Sequence, residues 1–512
     1  YAYDGFGNVA SHARTELGVA YSTRYTYDAG NRVTSIAYPN GRAVNNTRNP
    51  KGDIEAASMT LRGVTTALLT GGLFRPDGLP TRRSFGNNLT DTRVYDTQGR
   101  LRELYLGTAD TRLFSYDPNG NLTGKQTLPE VGVYTYDTLN RLNKETRTAQ
   151  SAVTTTWTYD PNGNRKTQNT GTYAYLTASN RLTTALGSAI VLDAAGNTLS
   201  DSTRSYTYNH AGQLSDVAGA SYRYNSQHQR TRKIVGSQAT VFHYDLTGNL
   251  IAETTADGNL IRDYVWADGI PIAQIEAGER IAYLHTDHLN TPRLATNPQG
   301  NVLWRWEGNA FGETYPSEDS DGDGIKTVVN LRYPGQYWDQ ETGLHYNWNR
   351  YYDPKLGRYV TSDPIGLYYP NGLNPFVYGA NNPLRWVDPW GLYEVLPGIP
   401  APSPQMGGVL SCIESCLGLS FTVTSTTRPG DPGAHGGGNA ADVRYRGPGS
   451  TPFSANNFLC CAAGCGAGFG LDEYRNPSPG ASGPHIHIQI PPGRRGGRGD
   501  LPPNCEPDKC RQ

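Results

Sequence analysis

Three histidines and one aspartate near the C-terminus have the residue types and spacing of a metal site. His485 and His487 alternate with isoleucine in a strand-like run, so they share one face of that strand. His435 and Asp442 flank a glycine-rich turn that lets the chain double back and bring both side chains to one centre. Two histidines, a carboxylate and an open water position are the usual plan of a zinc hydrolase. The alternative is an isolated histidine in a loop and two paired histidines in a strand.

This region resembles the zinc D-alanyl-D-alanine metallopeptidases, which include peptidoglycan-cutting peptidases and the hedgehog signalling domain. The pattern Ser-x-x-Arg, His-x-x-Gly-x-Ala-x-Asp and His-x-His is matched in order at 425–428, 435–442 and 485–487. The resemblance implies a bound Zn²⁺ whose ligands are His435, Asp442 and His487. Zinc would lower the pKa of its water to about 7 and polarise the scissile carbonyl.

The remaining roles of this site also come from the resemblance. Arg428, in the motif that begins at Ser425, would hold a substrate carboxylate by a bidentate contact. His485 would stabilise the oxyanion or assist proton transfer. Many relatives place a carboxylate base a few residues before the last histidine. Here Glu473 stands at a longer gap, so Glu473 and His485 are both candidates for the base.

The cysteines divide the chain into two parts with different chemistry. All of them follow Leu392, at Cys412, Cys416, Cys460, Cys461, Cys465, Cys505 and Cys510. They lack the paired Cys-x₂-Cys arrangement of a structural zinc site, whereas a small domain rich in Gly and Pro gains stability from cross-links. We therefore expect disulfides, with one thiol left over, in an oxidising compartment such as the periplasm.

Composition sets limits on the class of protein. The 512 residues carry a formal net charge of −1, so no bulk attraction to nucleic acid or to a membrane surface is expected. No run of 18 apolar residues occurs that would span a membrane. With 60 Gly, 34 Tyr and only 2 Met, the composition favours β structure. The chain begins in mid-pattern at Tyr1, and we expect it to be a fragment of a larger protein.

A Tyr-Asp unit followed by a turn recurs through the first part of the chain, often about 20 residues apart. Tyr-x-Tyr alternates across a strand, and Asp, Pro or Asn, and Gly supply the positions of a tight turn. Each repeat therefore predicts a β-hairpin, and stacked hairpins bury each other's edges. A plain β-solenoid with a binding face fits this periodicity as well. The units begin at Tyr3, Tyr27, Tyr95, Tyr116, Tyr136, Tyr159, Tyr208, Tyr224 and Tyr244.

These units resemble the YD repeats of the Rhs (rearrangement hot spot) family. Stretches at 285–293, 304–306, 332–337, 343–347, 350–354 and 363–367 resemble later parts of that family. The resemblance implies a mainly β fold with a YD-repeat shell over 1–310, an Rhs core plug over 311–392 and a small α+β zinc peptidase-like toxin over 393–512. We refer to residues 393–512 as the tail.

The resemblance also implies that the core cuts the chain after Asp-Pro-x-Gly-Leu, between Leu392 and Tyr393. The family's cut is aspartyl-protease-like, and two close carboxylates can share a proton as base and acid. Asp363 is the first expected carboxylate, with Arg350 to orient it. Asp339 is expected as the second.

Two further aspartate features have alternative interpretations. Asp353 is an alternative second carboxylate, although Asp-Pro pairs also form ordinary turns. Residues 319–324 resemble half of a calcium loop, with carboxylates at Asp319, Asp321 and Asp323. Because Asn330 takes the place of the bidentate glutamate, a solvated acidic loop is expected rather than a Ca²⁺ site.

Together these observations predict a secreted Rhs-type antibacterial toxin whose tail hydrolyses peptidoglycan peptides in the target-cell periplasm. Its expected partners are a cognate immunity protein and components of a secretion apparatus. One alternative is a zinc-containing binding module without turnover. Another is a nuclease or deaminase, which is less expected because the tail lacks the deaminase motif His-x-Glu with Pro-Cys-x-x-Cys and a basic groove pattern.

Overall fold

The computed structural model describes residues 1–364, 374–392, 421–425, 440–445, 462, 469–472 and 486–489. Antiparallel strands make up most of this part, and consecutive strands pair with each other. The mainly β fold predicted from the sequence is therefore confirmed. Among the described residues, no helix is both long enough and apolar enough to cross a membrane. A 3₁₀ turn spans Gly379–Asn381.

The first sheet has 19 strands that follow each other along the chain. They are β1 Ala2–Tyr3, β2 Val9–Glu16, β3 Val19–Tyr27, β4 Val33–Ala37, β5 Ala43–Arg48, β6 Ile54–Leu61, β7 Val64–Phe74, β8 Pro80–Phe85, β9 Thr90–Tyr95, β10 Leu101–Leu106, β11 Asp110–Tyr116, β12 Leu122–Gln126, β13 Val131–Tyr136, β14 Leu142–Thr148, β15 Ala152–Tyr159, β16 Arg165–Gln168, β17 Gly171–Tyr175, β18 Leu182–Ala185 and β19 Ser188–Ala189.

A two-stranded ribbon and a second large sheet of 11 strands continue the chain. The ribbon is β20 Val191–Leu192 and β21 Thr198–Ser200. The second large sheet is β22 Tyr206–Tyr208, β23 Leu214–Val217, β24 Ala220–Tyr224, β25 Arg230–Val235, β26 Gln238–Tyr244, β27 Leu250–Thr255, β28 Leu260–Ala267, β29 Ile270–Glu276, β30 Ile281–Thr286, β31 Pro292–Thr296 and β32 Val302–Arg305.

Two four-stranded sheets complete the described fold. The first is β33 Tyr337–Asp339, β34 Leu344–Asn347, β35 Arg350–Asp353 and β36 Arg358–Tyr359. Every residue of these four strands is buried. The second lies in the tail and consists of β37 Phe421–Ser425, β38 Ala440–Tyr445, β39 Phe469–Asp472 and β40 Ile486–Gln489.

The aspartate of a YD unit closes the turn that follows its strand. Asp28 Oδ1 accepts hydrogen bonds from the backbone N–H groups of Gly30 and Arg32, at 2.8 and 3.0 Å. Its Oδ2 accepts a third from Arg32 Nε at 2.7 Å. Because every contact lies within four residues, each unit forms its own turn, which is why the repeat pattern predicts the strands reliably.

The tyrosine of the unit ties its hairpin to the preceding one. The hydroxyl of Tyr136 donates to the Leu122 carbonyl at 2.7 Å, and that of Tyr159 donates to the Leu142 carbonyl at 2.7 Å. Each of these carbonyls belongs to a residue at the register shift of the preceding strand pair. A shift leaves the ladder locally incomplete, and the phenol supplies the missing donor.

The chain after β32 packs against both large sheets. Ala310, Phe311 and Leu384 share an apolar cluster with leucines of the first sheet. Leu344, Tyr346 and other residues of the β33–β36 sheet share a cluster with the second sheet. The residues after β32 therefore form a packed core with both large sheets, and these sheets hold β33–β36 in place.

One buried carboxylate joins the first sheet to this core. Both oxygens of Glu145 accept hydrogen bonds from the Ala310 N–H, at 3.0 and 3.2 Å. Burial raises the pKa of Glu145 to about 7, although Arg147 and Lys125 nearby favour its ionised form and Glu130 opposes it. The folded chain therefore binds this proton more tightly than the unfolded chain does.

We expect Glu145 to weaken the fold as the pH rises. Its contribution to stability is fully present below the unfolded pKa near 4.5 and is lost as the pH passes about 7. Glu145→Gln keeps an acceptor for Ala310 and removes the titration, so it should stabilise the fold above pH 7 by roughly 3 kcal/mol. Melting curves at several pH values check this. An advantage of the glutamine chain that does not grow with pH would contradict it.

Candidate active site

A tight hairpin within the buried sheet positions the central arginine of the site. Asn347 ends β34 and pairs with Arg350, which opens β35, so Trp348 and Asn349 alone form the turn. Trp348 has a positive φ of 53° and its indole packs against Trp390, with 4.3 Å between ring centroids. The turn therefore presents Arg350 from a rigid, fully packed element rather than from a loop.

Arg350 holds two aspartates that are distant in sequence. Its Nη2 lies 3.0 Å from Asp363 Oδ2 and 3.0 Å from Asp388 Oδ2. The guanidinium stacks on the Tyr359 ring, with Cζ 3.6 Å from the centroid. All three charged side chains are buried. Two carboxylates beside one cation in a buried pocket form an arrangement that can share a proton between a base and an acid.

The hairpin turn and Arg350 also donate hydrogen bonds to the backbone just before the predicted cut. Arg350 Nε donates to the Gly391 carbonyl at 2.5 Å, and Asn349 Nδ2 donates to the Trp390 carbonyl at 3.0 Å. The N–H of Leu392 donates to Asp388 Oδ1 at 2.9 Å. Gly391 has a φ of +65°, and a Cβ there would collide with the Asn347 carbonyl oxygen. The chain is thus fixed up to Leu392, whereas Tyr393 lies outside the described residues.

Three residues of this site were missed by the sequence prediction. Asp388 takes the place expected for the second carboxylate, and Tyr359 and Asn347 contact it directly. A signal for Asp388 was available, because Asp-Pro-x-Gly-Leu occurs twice, at 363–367 and 388–392. Tyr359 and Asn347 have no such signal, since buried tyrosines and asparagines are common in this core.

The prediction that Asp339 pairs with Asp363 is corrected by this geometry. Asp339 is fully buried and binds Arg230 Nη1 at 2.5 Å and Lys233 Nζ at 3.0 Å. Burial alone would raise the pKa of Asp339, but Arg230 and Lys233 hold it below its usual value. Asp339 thus anchors β33 to the second large sheet.

We expect Asp339→Asn to lower stability without stopping self-cleavage. The change leaves Arg230 without its anion and Lys233 with Glu341 alone, and breaking a buried pair costs about 3 kcal/mol. Melting temperature and the cut fraction on a denaturing gel check both parts. A folded Asp339→Asn chain that stays uncut would show that Asp339 is needed for self-cleavage, as a second carboxylate would be.

Asp353 also has a structural position. Its Oδ1 accepts hydrogen bonds from the N–H groups of Lys355 and Leu356, at 3.0 and 3.1 Å. Its Oδ2 binds Arg204 Nη2 at 2.5 Å. Asp353 is therefore the turn former of an Asp-Pro pair, which was the other interpretation of this residue.

The acidic loop lies apart from these contacts. The carboxylates of Asp319, Asp321 and Asp323 lie within 4.8 Å of one another, and the last two are exposed. Asp319 Oδ2 accepts a hydrogen bond from Gly324 N–H at 3.2 Å. Proximity of exposed carboxylates is common without a metal ion, so Ca²⁺ binding here stays an untested prediction.

The tail strands bring two predicted zinc ligands together in register. Asp442 in β38 is directly opposite His487 in β40, and Ser425 in β37 is opposite Asp442 on its other side. Three positions of the three-part motif thus form one cross-strand row.

Other predicted tail residues lie outside the described residues. They are His435, His485, Arg428, Glu473 and the seven cysteines. Their predicted roles in metal binding, catalysis, substrate binding and disulfide formation stay predictions.

Two family descriptions match the chain. Residues 130–383 match the Teneurin YD-shell, and residues 3–43 match the RHS repeat.

Three curated relatives match between 22% and 84% of this chain. Double-stranded DNA deaminase toxin A of Burkholderia cenocepacia is 27% identical over 443 residues, which cover 84% of this chain and 25% of that protein. The tRNA3(Ser)-specific nuclease WapA of Bacillus spizizenii is 31% identical over 342 residues, covering 58% and 14%. Toxin protein Tse5 of Pseudomonas aeruginosa is 40% identical over 113 residues, covering 22% and 8%. The chain therefore spans a quarter or less of the length of these relatives.

Solved structures share the fold. The crystal structure of TcdB2-TccC3 without its hypervariable C-terminal region superposes with a TM-score of 0.64 at 19% identity, covering 76% of this chain and 23% of that one. The TcdB2-TccC3-Cdc42 structure gives a TM-score of 0.63 at 20% identity, with coverage of 76% and 23%. At these identities the similarity shows a common architecture.

Proposed function

The described body of this chain belongs to the Rhs/YD-repeat shell family, and from that premise we propose that the chain is the self-cleaving carrier of a secreted antibacterial toxin. The cut falls between Leu392 and Tyr393 and frees the tail. The observation that carries this proposal is the contact of Arg350 with both Asp363 and Asp388. The test is Asp388→Asn, which should leave one uncut chain on a denaturing gel.

The chemistry of the cut follows from the two carboxylates. One accepts a proton from a water molecule, whose oxygen attacks the carbonyl carbon of Leu392. The other gives a proton to the amide nitrogen of Tyr393 as the carbon–nitrogen bond breaks. Arg350 holds both acids and, through the Gly391 carbonyl, the adjacent backbone. Positioning of this kind converts a slow bimolecular hydrolysis into a reaction within one chain.

For the tail we propose a zinc-dependent peptidase that cuts peptidoglycan peptides in the target-cell periplasm. The cross-strand row of Ser425, Asp442 and His487 supports this, because it aligns two proposed ligands with the residue that opens the Ser-x-x-Arg motif. Zn²⁺, if bound by Asp442 and His487 together with His435, would supply Lewis-acid activation of water and carbonyl. We propose that its partners are a cognate immunity protein and components of a secretion apparatus.

Mass spectrometry of purified peptidoglycan after incubation with residues 393–512 tests this activity. New stem or cross-link fragments are expected, and their masses identify the bond. Binding to peptidoglycan without new fragments would favour an adhesion module. The relatives are named as a DNA deaminase and a tRNA nuclease. Turnover of DNA or tRNA together with intact peptidoglycan would replace the peptidase proposal by one of those activities.

A further inference from the structure

Asp388 receives hydrogen-bond donors from three directions. Tyr359 donates its hydroxyl to Oδ2 at 2.7 Å, and Arg350 Nη2 lies 3.0 Å from the same oxygen. The Leu392 N–H donates to Oδ1 at 2.9 Å. Donors of this kind stabilise the ionised form of a carboxyl group, and a carboxylate with several of them holds its charge even when buried.

A second side chain sets the direction of the tyrosine proton. Asn347 Nδ2 donates to Tyr359 Oη at 2.7 Å and to the Asp388 carbonyl at 2.8 Å. A phenol carries one proton, so an oxygen that accepts from Asn347 gives its own proton to Asp388. Burial and the nearby charge of Asp388 hold the pKa of Tyr359 well above 10, so the phenol stays a donor.

We propose that Tyr359, oriented by Asn347, is a positioning residue that keeps Asp388 ionised and so makes Asp388 the base of the self-cleavage reaction. This inference rests on the proposed self-cleavage. Asp388 then takes the proton of the attacking water, and Asp363 gives the proton to the Tyr393 nitrogen. The products are a carboxyl group on Leu392 and a free amine on Tyr393, so the atoms of one water molecule are accounted for.

The groups that face Asp388 come from several elements. Arg350 in β35 and Tyr359 in β36 are described above, and Asp363 shares the Arg350 guanidinium. Tyr378 also lies near Asp388; burial, together with nearby groups that include Asp388, holds the pKa of its phenol well above 10. Of these groups, Tyr359 donates its hydroxyl to the Asp388 carboxylate, and that hydroxyl can be removed while its ring and every charge stay in place.

Tyr359→Phe in the full chain is the experiment. A short pulse of cell-free synthesis followed by transfer to buffers of different pH gives the rate of cutting from the uncut band. We expect the acid limb of the rate profile to move up by about one pH unit, because loss of a donor to a charged group raises the pKa of Asp388. Cutting below that limb should slow about 10-fold, while the plateau at higher pH changes little.

Tyr352→Phe is the matched control. Tyr352 packs in the same aromatic cluster, and its hydroxyl donates to the Phe311 carbonyl at 2.8 Å. It therefore loses an equally buried hydroxyl without touching Asp388, and its profile should match the wild type. Asn347→Leu combined with Tyr359→Phe should shift the limb no further than Tyr359→Phe alone, since Asn347 acts through the phenol that Tyr359→Phe removes.

An unshifted limb in Tyr359→Phe would overturn the inference, whether or not the rate falls, and so would an equal shift in Tyr352→Phe. These outcomes are distinct from failure of the proposed self-cleavage. If Asp388→Asn still cuts normally, the carboxylate pair itself is wrong. If Asp388→Asn is uncut while Tyr359→Phe keeps the wild-type profile, the carboxylate pair stands and only the proposed positioning role of Tyr359 is wrong.

Discussion

Asp388→Asn is expected to leave the 512-residue chain in one piece, with self-cleavage slowed by roughly 10²–10⁴-fold or more. Asparagine keeps the shape of the side chain, and its one oxygen can accept from either the Leu392 N–H or the Tyr359 hydroxyl. It cannot take up a proton at this position or balance the charge of Arg350. The expected loss is therefore chemical rather than structural, and the uncut chain should be folded.

Asp363→Asn should give the same uncut band, since a pair that shares a proton needs both members. Asp353→Asn is the control, because Asp353 also precedes a proline in the buried sheet but binds Arg204 instead of Arg350. It should be cut normally. Densitometry of the two bands on a denaturing gel measures all three chains, with a melting curve to show that each is folded. Normal cutting by Asp388→Asn would sink the proposed mechanism.

His487→Ala is expected to abolish zinc binding and periplasmic killing by the tail. The structure pairs position 487 with position 442 across β38 and β40, so one substitution removes one of two proposed ligands at paired positions. Loss of an outer-shell partner alone costs 10–100-fold in metal affinity, and loss of a direct ligand should exceed about 100-fold. Asp442→Ala should behave in the same way.

Gln489→Ala supplies the control, because position 489 lies two residues along the same strand and pairs with Ala440. Two residues along a strand return to the same face, so the change tests position without removing a proposed ligand. Zinc content by elemental analysis and growth of cells that export the tail to the periplasm give the two measurements. Unchanged killing by His487→Ala would remove the metallopeptidase hypothesis, whatever the zinc content shows.

The sequence by itself determined the repeat fold of this protein. Asp28, Gly30 and Arg32 bind one another within four residues, so the turn is specified wherever the motif appears. The position of Arg350 and Asp363 in the site was predicted from motifs as well. In the tail, the resemblance to the zinc peptidases implied that Asp442 and His487 share a site, and these two positions pair across β38 and β40.

Only the tertiary structure decided which aspartate joins Asp363. Asp339 and Asp388 are both buried acids of the core, and local sequence does not rank them. Asp339 is neutralised by Arg230, more than a hundred residues earlier, whereas Asp388 meets Arg350 and Tyr359 because the hairpin turn binds the backbone beside it. These contacts depend on how separate strands pack. Short-range patterns therefore specify the turns, while the partner of a buried charge is set by the three-dimensional fold.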